Sequence, residues 1–323
     1  AVAIAQEAGA VDEPVDQAQV VDPVETPAPS GAAALDMPVL TVAWAALAVI
    51  VILRWRLWRM KEAPERPMVF DPILAVGLAA GMFVLGQIGA MVAARVAGVS
   101  GGEAEGQTAA EGLLDSGLIM LGIYIGQALV LAVWMGRALK VVGSGAARDD
   151  EETGRGRPSI SMGKAAAWGM AGLAVTWPIA ATAGWIGLRV MDLFGAPTPP
   201  QIAHVTLARL VEGDAMFSAG WWLVVALVVT AAPVMEELLY RGLVQDAVDR
   251  VGFGRWPAIL GVSLLFALMH AGSVPLHGLA ALFILSIGFG VVYERTGRLT
   301  GPVVMHVGFN AGNLVMASAM SIG

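Results

Sequence analysis

The chain has 323 residues, 57% hydrophobic and only 14% charged, with a mean hydropathy of +0.72 and a net charge of -7. That balance is too apolar for a soluble domain of this length and reads as a polytopic membrane protein. With no cysteine, disulfides, cysteine nucleophiles and thiolate metal sites are excluded.

Residues 1–36 carry seven acids and no Lys or Arg, so the rest of the chain is neutral overall. This acidic, Pro- and Ala-rich stretch buries too little apolar surface to offset chain entropy, and it reads as a disordered extracytoplasmic tail. The opening Ala1-Val-Ala-Ile-Ala-Gln is read first as a shortened start and second as a signal-peptide remnant with an A-x-A type cleavage site. Eight segments then approach the roughly 20 apolar residues that a membrane-spanning helix needs. They are 37–53, 69–94, 113–136, 165–190, 219–248, 256–272, 275–293 and 300–320.

The expected architecture is all-α, with 37–200 as N-terminal helices plus a linker and 201–323 as the chemical core. Asp71 is placed as a helix N-cap, GSGAARDDEETGRGRPS (143–159) as a solvated linker, and APTPPQ (196–201) as a turn opening a short interfacial helix near 202–211. His204 and His277 read as loop or surface histidines outside any site. Sixteen of the 19 basic residues fall in 54–66, 137–164, 241–255 and 295–298. The positive-inside bias puts these loops in the cytoplasm and both termini outside an inner (plasma) membrane of bacterial type, with Trp55, Trp58 and Trp256 as interface anchors.

Three late segments carry groups that do not belong in a bilayer. Glu236, Glu237 and Arg241 end a run of 21 uncharged residues, Ala215 to Met235. His270 closes FALMH, and His306 and Asn310 lie in HVGFN. Ionisable groups at membrane depth face wet cavities and carry function by default. At about 1.5 Å of rise per residue the three groups fall roughly 8 to 21 Å from the basic helix ends. They can therefore share one layer, and a core opening toward the cytoplasm is expected. The i,i+4 spacing pairs Glu237 with Arg241 and stacks His306 over Asn310. Such a pair would immobilise one carboxylate and leave Glu236 free, while Phe266 walls the pocket or fixes the His270 ring. Pro233, three residues before Glu236, is expected to kink the helix.

The ordered set E-E-x-x-x-R, F-x-x-x-H and H-x-x-x-N resembles the CPBP (Abi) family of intramembrane proteases, which includes CAAX prenyl endopeptidases and bacteriocin-processing or immunity proteins. The resemblance covers about the last 105 residues. It implies a glutamate-dependent endopeptidase in which Glu236 activates a water that His270 helps to position, and His306 and Asn310 stabilise the oxyanion. Glu237 with Arg241 would shape and charge the pocket. A zinc site built from Glu236, His270 and His306 is the alternative to the favoured metal-free chemistry. The implied partners are a peptide or protein substrate, CAAX-like at its C-terminus, and the lipid bilayer. Without a Gly-rich phosphate loop, neither a soluble cofactor nor nucleic acid is expected. Two other readings are a non-cleaving relative acting in immunity or as a scaffold, and an ion- or proton-coupled transporter.

Overall fold

The computed structural model describes residues 39–57, 59, 71–99, 108–143, 160–195, 205–211 and 215–322. The acidic tail, Trp58, all of the linker but Gly143, the 196–201 turn and His204 lie outside them. Each of the eight apolar segments is helical, and no strand occurs among the described residues. The helices are α1 (Val39–Arg54), α2 (Pro72–Ala97), α3 (Ala109–Gly143), α4 (Met162–Leu193), the short α5 (Val205–Leu210), α6 (Ala219–Phe253), α7 (Arg255–Met269), α8 (Leu276–Thr296) and α9 (Thr300–Ile322).

Five of them, α2, α3, α4, α6 and α8, are long and apolar enough to cross a membrane. Helices α1 and α7 are apolar but shorter, and α9 is long but diluted by His306, Asn310 and Asn313. Ile50, Met91, Leu129, Leu264 and Val315 are all more than half exposed, as side chains facing lipid would be. The chain is a polytopic, integral membrane protein.

Local chemistry sets the helix ends. Asp71 caps α2, its Oδ1 accepting from Ile73 N at 2.9 Å, with Pro72 at the first helical position where a missing N–H costs nothing. His277 differs from its expected loop: it lies in the first turn of α8 and is buried, close to Gly187. Leu276 continues the apolar pattern into this turn, and Pro275 sits as its N-cap.

Small residues let the helices approach to backbone contact. A Cβ on Gly126 would lie 2.0 Å from the Leu85 carbonyl oxygen, and one on Gly89 would lie 2.0 Å from that of Gly122. These contacts make α2 and α3 antiparallel. Gly169 meets Gly301 and Gly312 meets Trp177, so α4 and α9 run parallel; Gly172 meets Val292 and Gly187 meets His277, so α4 and α8 are antiparallel. In lipid, where the hydrophobic effect does not drive helices together, such close packing supplies much of the association energy.

Register also sorts the bundle ends. Arg295 Nη2 donates to the carbonyls of Arg56, Leu57 and Arg59 at 3.2, 2.9 and 3.1 Å, and Arg298 Nε donates to Ile160 O. The segments after α1, before α4 and between α8 and α9 therefore gather at one basic end. At the opposite end α5 packs its Leu210 with Leu113, Trp221 and Val224, and Trp221 Nε1 donates to Leu210 O at 2.8 Å. Between these ends lies the main core, which joins α4, α6, α7, α8 and α9 through Leu173, Tyr240, Phe266, Phe289 and Met305.

Helix α6 is not a regular α-helix. Its turns widen to π geometry over Leu227–Ala231, Leu238–Gln245 and Asp249–Phe253, and the first of these comes just before Pro233. Ala232 N–H donates five residues back to Leu227 O. Continued, that register would pair Val228 O with the nitrogen of Pro233, which carries no proton. The orphaned carbonyl is satisfied from outside, because Asn310 Nδ2 donates to Val228 O at 2.8 Å. The irregularity expected at Pro233 thus takes the form of a widened turn tied to α9.

Gly126→Val should overpack the α2/α3 contact and cost about 1–3 kcal/mol. Gly77→Ala, at an exposed position with nothing within 4 Å of the added methyl, should not. Thermal unfolding of the two purified variants in one detergent makes the comparison; equal losses would contradict the close contact.

Candidate active site

Helix α6 brings two adjacent carboxylates to the bundle interior, and its neighbours treat them differently. Glu237 and Arg241, one turn apart, are wholly buried and paired, with Arg241 Nη1 donating to Glu237 Oε1 at 3.1 Å. The other arm of the guanidinium, Nη2, reaches α8 and donates to the backbone oxygen of Ser286 at 3.0 Å and to its hydroxyl. The rings of Phe289, Phe266 and Tyr240 surround the cation at 5.1, 5.2 and 5.9 Å. A planar fork with aromatic neighbours is the arrangement that arginine supplies and lysine cannot.

Glu237 Oε1 is shared. His306 Nδ1 lies 2.9 Å from it, and because a carboxylate oxygen only accepts, this ring nitrogen carries the proton. Phe289 stacks on the imidazole at 4.7 Å with the planes 22° apart, and Phe266 meets its edge at 5.9 Å. The ring is held on one face and at its edge. Its other nitrogen, Nε2, points toward Glu236 and lies 3.9 Å from Oε2.

Glu236 is the carboxylate left over. Its side chain is 27% exposed, and Oε2 makes no hydrogen bond. It faces a cavity of about 440 Å³ that His270, His306, Asn310, Tyr124 and Asn313 also line. His270 ends α7, where its Nδ1 lies 2.7 Å from Phe266 O. A carbonyl accepts only, so Nδ1 is the protonated nitrogen, and in the neutral ring Nε2 is the acceptor. The Phe266 ring, 4.7 Å away, backs the imidazole.

The six residues singled out in sequence thus divide into two groups. Glu236, His270, His306 and Asn310 meet at the cavity, whereas Glu237 and Arg241 lie behind its wall. One amide hydrogen of Asn310 is already committed to Val228 O. Sequence reading passed over Ser286, the lone hydroxyl in LFILSIGFG, and Asn313, which continues the His306–Asn310 face by a further turn. Tyr124, from α3, carried only the signal of a rare tyrosine in an apolar helix. Tyr240 is buried edge-on against Phe266 at 5.2 Å.

Among the described residues no three His, Cys, Asp or Glu side chains are arranged to hold a metal ion. Glu237 Oε1 is occupied by Arg241 and His306, and the near His306 nitrogen stands 3.9 Å from the Glu236 oxygen. Glu236, His270 and His306, the last two through Nε2, are the residues that would hold a zinc ion if one were bound.

The cavity does not extend toward the basic end, contrary to the expected cytoplasmic opening. Below Glu236 the space is filled by Glu237, Arg241 and Gln245, and Gln245 Nε2 donates to Glu294 Oε1 at 2.7 Å. Arg241→Met should cost about 3–5 kcal/mol by stranding the Glu237 carboxylate in the interior. Arg241→Lys should restore only part of it, since the ammonium cannot bridge Glu237 and Ser286 in the same way. Detergent-resistant thermal unfolding is the readout, and native stability in Arg241→Met would contradict the buried pair.

Residues 218–312, from the N-cap of α6 into α9, match the family model described as Type II CAAX prenyl endopeptidase Rce1-like. No curated protein and no solved structure matches the chain significantly. The matched stretch contains Glu236, Glu237, Arg241, His270, His306 and Asn310, so the likeness to this family covers the site-bearing part of the chain.

Proposed function

We propose that the protein is an intramembrane endopeptidase in which Glu236 activates a water for attack on a peptide carbonyl, without a metal or soluble cofactor. The observation that carries this reading is the unequal treatment of adjacent carboxylates: Glu237 is wholly buried and paired with Arg241, while the Glu236 side chain is 27% exposed and lines the cavity. A general base must be able to reach its proton, and only Glu236 can.

In the reaction, the Glu236 carboxylate takes one proton from water as the oxygen adds to the carbonyl carbon. Nε2 of His270 accepts the second water hydrogen and orients the attack. Negative charge collects on the former carbonyl oxygen, where the remaining amide hydrogen of Asn310 and an Nε2–H of His306 would meet it. His306 offers that hydrogen only as imidazolium, a charge that Glu237 is placed to offset. Collapse breaks the C–N bond, and the proton held by Glu236 passes to the departing amine. Collapse leaves a C-terminal carboxylic acid and a neutral amine, and the acid's proton then passes to the amine to give a carboxylate and an ammonium N-terminus, so atoms and charge balance.

The substrate class that the family supports is a peptide or protein carrying a CAAX-like C-terminal or membrane-adjacent segment. We place the protein in an inner (plasma) membrane with the basic end cytoplasmic and both termini outside, on the positive-inside bias. A coupled transporter would need a path past Arg241 and Gln245, and those side chains are fully packed.

Replacing Glu236 by Gln preserves shape and removes the base, so peptide cleavage by protein in nanodiscs should fall 10²- to 10⁴-fold without loss of thermal stability. Comparing protein termini in membranes from cells carrying wild type or Glu236→Gln then names the substrates. Undiminished cleavage by Glu236→Gln would remove this residue from the mechanism.

A further inference from the structure

The walls of the cavity all lie on one side of the Glu236 layer. On α6 they run from Val228 up to Glu236 and no further toward the basic end; on α9 they begin at His306 and continue to Ala317. On α8 the wall is confined to the first two turns, Gly278 to Leu282, and on α7 to Phe266 and His270 with Val274 just beyond. Thr206, Leu207 and Leu210 of α5 complete it. Met316, which borders the cavity at this level, is 47% exposed.

Among the described residues the opposite direction is filled. Arg241, Gln245 and Glu294 are each at most 1% exposed, and Arg255 Nε reaches Glu294 Oε2 at 3.5 Å. Beneath them stands the basic end, where Arg295 and Arg298 bind the segments after α1 and before α4.

We infer that substrate reaches Glu236 from the α5 end, which charge topology places outside the cytoplasm, and that it is a polypeptide segment in or emerging from the outer leaflet with apolar side chains flanking the cleaved bond. The inference rests on the proposed peptidase reading for what happens to the segment, but not for where the entrance lies. Apart from the polar groups at its base, the passage is lined by such residues as Met120, Leu207, Val229, Leu282 and Leu314, which suit apolar side chains and offer nothing to a charged tail. A tail that remains in the cytosol would meet the closed face. Exported or membrane-inserted proteins present segments of the required kind on the correct side.

The absence of cysteine makes the test direct. Single-cysteine variants Val229→Cys and Leu282→Cys, in the passage, are compared with Phe194→Cys at the exposed C-terminus of α4 and Lys164→Cys at its basic-end start. Right-side-out and inverted membrane vesicles are treated with the impermeant sulfonatoethyl methanethiosulfonate. The two passage cysteines should follow Phe194→Cys, reacting at least tenfold faster in right-side-out vesicles. Reaction in inverted vesicles, in step with Lys164→Cys, would overturn the inference, as would failure to react from either side. Labelling is independent of catalysis: passage labelling from outside together with a fully active Glu236→Gln would uphold the entrance and defeat the peptidase mechanism.

Discussion

The buried ion pair of Arg241 with Glu237 is the constraint on which the site depends. Two charges at membrane depth are tolerated far more readily when they are paired with each other. Here one guanidinium arm holds the carboxylate, the other holds Ser286 on α8, and three aromatic rings enclose the cation. The same carboxylate oxygen receives His306 from α9. One interaction therefore joins α6, α8 and α9 and orients an imidazole. It also decides which of two neighbouring glutamates is left free, and that is the step from packing to chemistry.

A second device sets the level at which these helices meet. Proline at 233 leaves a backbone carbonyl without its donor, and α6 widens around the gap. Asn310 fills it, so the residue that lines the cavity also fastens α9 to α6. Its commitment to Val228 O leaves one amide hydrogen for a reacting oxygen. In the proposed mechanism, structural and chemical duties fall on the same side chain, as they do on His306.

Much of this was legible in the sequence because membrane depth makes polar residues conspicuous. Eight apolar runs gave eight helices, and the charged or amide groups within the last of them marked the layer where helices converge. The i,i+4 spacing of Glu237 and Arg241 foretold their pairing. Other features depend on contacts between distant segments and leave no local trace. Ser286 is an ordinary hydroxyl in an apolar run until Arg241 reaches it, 45 residues away in sequence. Tyr124 comes from a helix outside the motif-bearing region. The direction of the cavity was misread because depth from the basic ends was counted along each helix, whereas the opening is decided by which layers are filled. Gln245 and Glu294, which help to close the basic end, attracted no notice as isolated residues.

The result is a bundle whose polar machinery has a sealed floor and an apolar approach. Buried charge holds the floor rigid, and the free carboxylate stands at the bottom of the approach with two imidazoles and an amide around it. A structure of the protein bound to a peptidyl phosphinate, whose tetrahedral phosphorus mimics the hydrated carbonyl, examines this division of labour most directly. The account predicts one phosphinyl oxygen at hydrogen-bonding distance from Glu236 and the other facing His306 and Asn310, with Glu237 still on Arg241. A phosphinate bound to Glu237, or seated outside the cavity with Glu236 untouched, would contradict it.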